Sequence, residues 1–425
     1  MDVANVLFEI ATVHYKTDNT NLARDCLTES DRIWTMKLTN TEKLSTVLLL
    51  SANLWISLQA YEAAEKNFEQ ALECAIGLHG KDHESVATIF LRFGEFLQEI
   101  RQIQQALFCF DEAIRVRSMV FGTESPSVAQ VEYSKGVALL FHGDFEDASS
   151  CLNRSLSIRQ NVLGPMDGAV GDTLNTIGFL HLRMGHFAGD EALAPLMKAL
   201  DIRRAVGNKS KIVSTLQNMA SVYKRRNELD SYLEMHVDVL TLRQEEFGSN
   251  DARVADAWIQ VGNIFVSLGR HDEATVSYEE ALRVQTHLHG PNHTSVARIL
   301  LKFGSLYSKQ NKLTEAKDML EEYTRIRATE VDDPDEEMAK ALTMLGDIQK
   351  RTGEKSKAQI NWTSAMNIYQ QLNYPENHSK LVKLRERQKT ITFIDTSWNS
   401  IDLSWRSLGH ANGPGNELGR SARTR

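Results

Sequence analysis

Along most of the chain, apolar residues recur at three- and four-residue intervals. That spacing lays them on one stripe of an α-helix. The stripes come in pairs, and small residues mark each pair at fixed places. Gly262 is followed by Phe265, Gly269, Ala274, Tyr278 and Ala281. A shift of 42 residues brings Gly304, Tyr307, Ala316 and Leu320, and a further 42 brings Gly346, Ala358, Trp362 and Ala365. Towards the N-terminus the same place holds Ala220, Gly178, Gly136, Gly94, Ala52 and Ala11, with a step of 41 between the first two. The pattern predicts nine units, each of two amphipathic helices A and B, between about Asn5 and Gln371.

A second small residue stands twelve places after the first, as Ala23, Ala64, Ala106, Ala148, Ala274, Ala316 and Ala358. In the fifth unit it is Ala192, displaced by a two-residue insertion around Gly189-Asp190, and in the sixth it is Tyr232. Small residues on both helices let two backbones approach closely, and large neighbours such as Trp55, Phe68, Phe110, Phe265 and Tyr278 fill the adjacent holes. Gly143, Gly185, Gly269 and Gly353 stand between A and B, where a helix end calls for a left-handed residue. One such pair leaves its apolar face uncovered, so the units must stack.

This ladder resembles the tetratricopeptide repeat, lengthened from its usual 34 residues by about one turn per helix. Many units also close on a Leu/Phe-Gly phrase, as in Leu78-His79-Gly80, Phe121-Gly122, Leu163-Gly164, Phe247-Gly248 and Leu288-His289-Gly290. Ser-Val-Ala follows at Ser85, Ser127 and Ser295. A 42-residue unit with this ending is similar to the kinesin light chain and nephrocystin-3 type. HEAT repeats, of similar length, lack the Gly/Ala ladder. The fold class expected is all-α, a right-handed solenoid (superhelix) of nine tetratricopeptide helix-turn-helix repeats. The sequence departs from kinesin light chain in having nine units and no N-terminal heptad coiled coil, the element that docks on the motor heavy chain in that family. Met1 begins almost inside a helix, as in a fragment or a repeat-only relative.

Composition fits this reading. Of 425 residues 42% are hydrophobic and 24% charged, and there are only 7 Pro, which suits a helical globular chain. The net charge of −8 argues against a general nucleic-acid partner. No stretch reads as a signal peptide or a membrane span. Cys26, Cys74, Cys109 and Cys151 form no CxxC pair and suit reduced core residues of a cytoplasmic protein. HExxH, GxSxG and Walker A motifs are absent, and Gly207-Asn208-Lys209-Ser210 follows a helix rather than a strand. The pairs His79/His83 and His289/His293 lack further ligands in the pattern and read as decoration of the Gly-ended turns. Neither a catalytic residue, a metal site nor a cofactor is expected.

The resemblance implies a concave wall built by the A helices. With the recurring Gly/Ala as position 8, positions 2, 5, 9, 12 and 13 face it. In the last five units these positions hold Arg183, Lys224, Arg225, Arg298, Lys309, Lys340, Lys350 and Arg351, against Asp172, Asp256 and Asp347. Kinesin light chain relatives carry a backbone-clamping Asn at position 5. Here Asn175 and Gln217 stand there, while Phe8, Leu49, Leu91, Tyr133, Ile259 and Leu301 offer apolar pockets instead. The carboxylate-clamp pattern of chaperone-tail readers is absent, since Leu49 and Ile259 replace its Lys. The basic residues with Asn175 and Gln217 are therefore the expected peptide-binding groove.

The remaining organisation follows from composition. Residues 1–373 form the array, 374–390 a polar capping helix, and 391–425 a tail largely disordered in composition. The tail repeats itself as Ile394-Asp395-Thr396-Ser397-Trp398 and Ile401-Asp402-Leu403-Ser404-Trp405. The expected function is a non-catalytic scaffold or adaptor for proteins, probing acidic or extended peptide segments, with a kinesin motor implied by resemblance alone. The alternative is an accessory or regulatory repeat region of an enzyme or signalling protein.

Overall fold

A computed structural model describes residues 2–38, 42–330 and 335–390. Among the described residues there are helices and no strands. They form two compact bodies, Met1–Val239 and Leu240 onward. The first contains α1 (Asp2–Lys16) and α2 (Thr20–Lys37), α3 (Glu42–Ser57) and α4 (Tyr61–His79), α5 (Glu84–Glu99) and α6 (Ile103–Phe121). It continues through α7 (Pro126–His142) and α8 (Phe145–Leu163), α9 (Gly168–Met184) and α10 (Leu193–Val206), α11 (Lys209–Arg226) and the start of α12 (Leu229–Phe247). The second holds α13 (Ala252–Ser267) and α14 (His271–His289), α15 (Thr294–Lys309) and α16 (Leu313–Glu330), α17 (Glu336–Arg351) and α18 (Lys355–Gln371). A further helix, α19, covers residues 379–390. The boundary between the bodies falls inside α12, in the repeat whose ladder carries Tyr232.

The small-residue ladder has a steric cause. A Cβ built on Gly262 would meet Tyr278 at 2.5 Å, and one on Gly346 would meet the Trp362 ring at the same distance. In these repeats the Gly at position 8 of A faces the large residue sixteen places on in B; the others are Gly94 with Phe110, Gly136 with Leu152 and Gly304 with Leu320. In the fifth repeat Gly178 faces Leu196, eighteen places on, because of the insertion. Phe110, Leu152, Leu320 and Trp362 are fully buried. On the B side Ser30 and Ser155 stand in for Ala, and their hydroxyls donate to the carbonyls of Ala4 and Ala129 at 2.8 and 2.7 Å.

The Leu/Phe-Gly phrase marks a backbone that only Gly adopts without strain. Gly80, Gly122, Gly164 and Gly290 follow their B helices at φ between 80° and 92° and ψ between 155° and 166°, a region closed to residues with a Cβ. The chain then enters the next A helix through a cap. At two junctions that cap is His83 or His293, whose Nδ1 accepts from the backbone of Ser85 or Ser295 at 3.2 and 3.1 Å. The rings stack on His79 and His289, with centroids 4.3 and 4.4 Å apart. These paired histidines are turn residues with a capping task.

A buried arginine locks successive repeats. Near the C-terminal end of B, Arg117 donates to the carbonyl of Ser127 at 2.7 Å, Arg159 to that of Ala169 at 3.0 Å, and Arg203 to that of Lys211 at 2.8 Å. In the second body the half-buried Arg243 donates to the Arg253 carbonyl at 2.9 Å, and the half-buried Arg327 pairs with Asp335 at 2.5 Å. Burial pulls the Arg117 and Arg159 guanidinium pKa values below their ordinary level. At the C-terminal end, Leu381 and Leu384 of α19 are buried with Trp362 and Tyr369 of α18. Tyr374 donates to Glu336 at 2.9 Å. The tail and its two Trp phrases lie outside the described residues.

Candidate functional site

Stacking at a 42-residue period also brings A helices side by side: α5 touches α7, α7 touches α9, and α9 touches α11. The lateral register is 43, one more than the repeat. Tyr133 and Thr176 share a hydroxyl–hydroxyl bond of 3.0 Å, and Asn218 Nδ2 donates to Asn175 Oδ1 at 3.1 Å. These residues line an open pocket of about 290 Å³ with Val137, Leu140, Phe141 and Phe179. Asn175 thus lines a pocket together with the aromatic side chains of Tyr133, Phe141 and Phe179. Its oxygen is engaged by Asn218.

The other expected residues of this body lie close by on α9 and α11. Gln217 is exposed but does not line the pocket. Arg183 is exposed with its guanidinium 5.9 Å from the Phe179 ring centre. Lys224 and Arg225, also exposed, lie over Tyr232 and Phe187 at 5.8 and 5.6 Å. Arg226 fixes the inserted segment by donating to the carbonyls of Phe187 and Gly189. Asp172 is held by Arg203 at 2.9 Å and Lys211 at 2.6 Å, so its negative charge is already compensated.

In the second body the basic residues divide. Arg298 and Lys309 on α15 are exposed, and among the described residues neither forms an ion pair. The α17 residues are tied: Lys340 to Glu336 at 2.9 Å, Lys350 to the Thr390 hydroxyl at 2.8 Å, and Arg351 to Asn311. Asp347 binds Arg387 at 3.0 Å and accepts from Trp362 at 3.1 Å; burial raises its carboxyl pKa. Counting charges by face therefore overstates the free cations of α17, because Glu336, Asn311 and Thr390 lie outside the counted positions.

Burial pushes the Cys109 thiol up to about 12 and the Cys151 thiol up to about 11, the reverse of an activated nucleophile. Among the described residues no three His, Cys, Asp or Glu side chains gather as a metal site, and no helix is long and apolar enough to cross a membrane.

Sequence reasoning missed Asn218 and the buried arginines. Asn218 was marked by its place 43 residues after Asn175, and the arginines by their spacing of 42 from Arg117 to Arg159.

The sequence profile of the tetratricopeptide repeat matches residues 43–119, 85–161, 211–287 and 253–329, more than half of the chain between them. The chain belongs to the tetratricopeptide repeat family. It is similar to Protein Kinesin Light Chain-Related 1 of Arabidopsis thaliana, at 26% identity over 319 residues, 74% of this chain and 45% of that protein. It is also similar to Protein Kinesin Light Chain-Related 3 of the same plant, at 27% identity over 210 residues, 49% of this chain and 32% of that protein. The chain spans less than half the length of these relatives. The crystal structure of the apo form of RapI shares the fold, with a TM-score of 0.53 at 13% identity, covering 82% of this chain and 99% of that one. The array is thus a tetratricopeptide repeat scaffold, a fold suited to protein–protein interaction.

Proposed function

We propose that the chain is a non-catalytic adaptor whose A-helix groove holds extended, acidic segments of partner proteins, as in kinesin light chain-like cargo recognition. The observation that carries this reading is the pocket of α7, α9 and α11. It joins two side-chain amides, fixed by the Asn175–Asn218 bond, to the aromatic walls of Tyr133, Phe141 and Phe179. Amides in that setting serve a peptide backbone, whose C=O and N–H groups need one donor and one acceptor each. The walls take an apolar side chain. The exposed cations Arg183, Lys224 and Arg225 on the same two helices favour acidic neighbours in the peptide. The second body, taken by itself, has the exposed cations Arg298 and Lys309, with Lys340, Lys350 and Arg351 available only by exchanging partners.

The test is selection of random peptides on the purified full chain, followed by affinity measurement on variants. Selected peptides should be enriched in Asp and Glu, and their affinity should fall as salt is raised. Lys224→Glu with Arg225→Glu should weaken them at least tenfold while circular dichroism is unchanged, and Asn218→Ala should do the same. Full retention by both variants would remove the groove from the reading. A motor link is examined separately, by asking whether a kinesin heavy chain co-purifies with the full chain.

A further inference from the structure

The second body has a cavity of about 320 Å³ between α17, α18 and α19. Its floor is apolar, with Thr343 and Met344 from α17, Tyr369 from α18 and Leu384 from α19. Its rim is cationic, with Lys340, Lys380, Lys383 and Arg387. Two carboxylates oppose these four charges. Glu336 holds Lys340 at 2.9 Å and Lys380 at 2.5 Å, and Asp347 holds Arg387 at 3.0 Å. Lys383 is exposed and forms no ion pair among the described residues. The rim therefore keeps a positive excess over an apolar floor, within a chain of net charge −8.

An aromatic side chain with a carboxylate beside it matches both parts. The chain carries that combination twice just beyond α19, as Ile394-Asp395-Thr396-Ser397-Trp398 and Ile401-Asp402-Leu403-Ser404-Trp405. We propose that one of these phrases docks in the α17–α19 cavity of its own chain, with the indole on the floor and the Asp at Lys383 and Arg387. The tether permits it. Asp395 lies five residues beyond residue 390, the last one described, and an extended stretch of that length reaches roughly 17 Å. Lys383 stands seven residues back along α19, about 10 Å of helix. A short tether gives an effective concentration on the order of 1 mM, so an intrinsic Kd of about 0.1 mM already fills the cavity to about nine-tenths. The second phrase repeats the chemistry on a longer tether and competes for the same place.

This inference shares Lys340, Thr343 and Asp347 of α17 with the groove positions but does not rest on the groove reading, since its test turns on Lys383, Trp398 and Trp405, which lie outside the groove residues. It is tested on the full chain labelled with 5-fluorotryptophan. The protein has 6 Trp, and Trp398→Phe and Trp405→Phe identify the two resonances of interest by fluorine NMR. At least one should be displaced from its position in the free 391–406 peptide. Lys383→Glu and raised salt should each move it back towards that position. Three results overturn the proposal. Both resonances could already sit at the free-peptide position. The displacement could ignore Lys383→Glu, placing the indole elsewhere. Or it could vanish on dilution, which makes the occupant a second copy's tail.

Discussion

Replacing Arg203 by Met should weaken the junction of the fifth and sixth repeats by about 3 kcal/mol, while the same change at neighbouring Arg204 should cost less than about 1 kcal/mol. The two arginines are adjacent on α10 and differ in burial. Arg203 is 7% exposed at its side chain and donates to the Lys211 carbonyl, the Ser214 and Thr215 hydroxyls and Asp172, at 2.6–3.0 Å. Breaking a buried charged pair costs about 3–5 kcal/mol. Two features place Arg203 at the low end. Its Nε is buried without a partner, and removing that atom returns about 1 kcal/mol. Asp172 also keeps Lys211 at 2.6 Å. Arg204, 54% exposed, meets Asp238 at 3.2 Å in solvent, where such pairs contribute little. A repeat array does not melt as one unit, so the assay is native-state amide exchange in α11. A loss of 3 kcal/mol corresponds to a roughly hundredfold faster exchange there. If Arg203→Met accelerates exchange by less than about tenfold, or no more than Arg204→Met, the buried arginines are not the locks described above.

Arg101 sits at φ +64° after α5, where the left-handed backbone costs a residue with a Cβ about 1–2 kcal/mol. Arg101→Gly should therefore raise the stability of the α5–α6 pair by about 0.5 kcal/mol after the entropic cost of Gly, and faster amide exchange in those helices would contradict this. The Glu336 carboxyl is held down to about 2, first by Lys380, then by Lys340 and Tyr374. A depressed folded pKa gives stability that is complete above the ordinary carboxylate range and lost as pH falls towards 2. Acid should thus loosen α19 from α17 across that window, read as faster exchange in α19, and an NMR titration of Glu336 with an ordinary midpoint would refute it. Apart from the termini, residues 204–245 should exchange earliest, because the sixth repeat has Tyr232 in the small-residue ladder; uniform protection through this segment would refute the expectation.

The helices and their pairing were legible because the steric demand is local and repeated. Gly at position 8 of A and a large residue sixteen places on are two ends of one contact, as Gly262 and Tyr278 show at 2.5 Å. The Leu/Phe-Gly phrases were equally plain, since Gly80 and Gly290 occupy a backbone region that excludes other residues. The buried arginines were hidden by their chemistry. A search for apolar stripes passes over Arg159 as surface charge, although its guanidinium lies 4.8 Å from the Tyr133 ring centre and its Nη1 donates to Thr173 at 2.8 Å. The groove was half legible. Position 5 located Asn175, but only stacking reveals that its neighbour is Asn218 rather than Gln217. Lys350 and Arg351 were counted as groove charges because a face can be read from spacing, whereas Thr390 and Asn311, each forty residues away, cannot.

Two registers with different tasks explain why the fold repeats while the groove does not. Contacts at one register, within a repeat and from B to the next A, depend on volume and on backbone carbonyls, which every repeat supplies alike. Gly94, Gly136, Gly304 and Gly346 accordingly recur with their large partners, and Arg117, Arg159 and Arg203 with their carbonyls. Contacts at the lateral register join side chains to side chains, as Tyr133 to Thr176 and Asn175 to Asn218. Nothing in the stacking fixes which side chains these are. Position 5 runs from Leu91, buried in the core, through Tyr133 and Asn175, which line the pocket, to the exposed Gln217. A substitution at position 8 falls on the array's stability, because a Cβ there strikes a buried partner. Under the proposed function, a substitution at Tyr133 or Asn175 falls on what the pocket holds, because both residues line it. Under the same function, repeats that differ at position 5 present different side chains to an extended peptide.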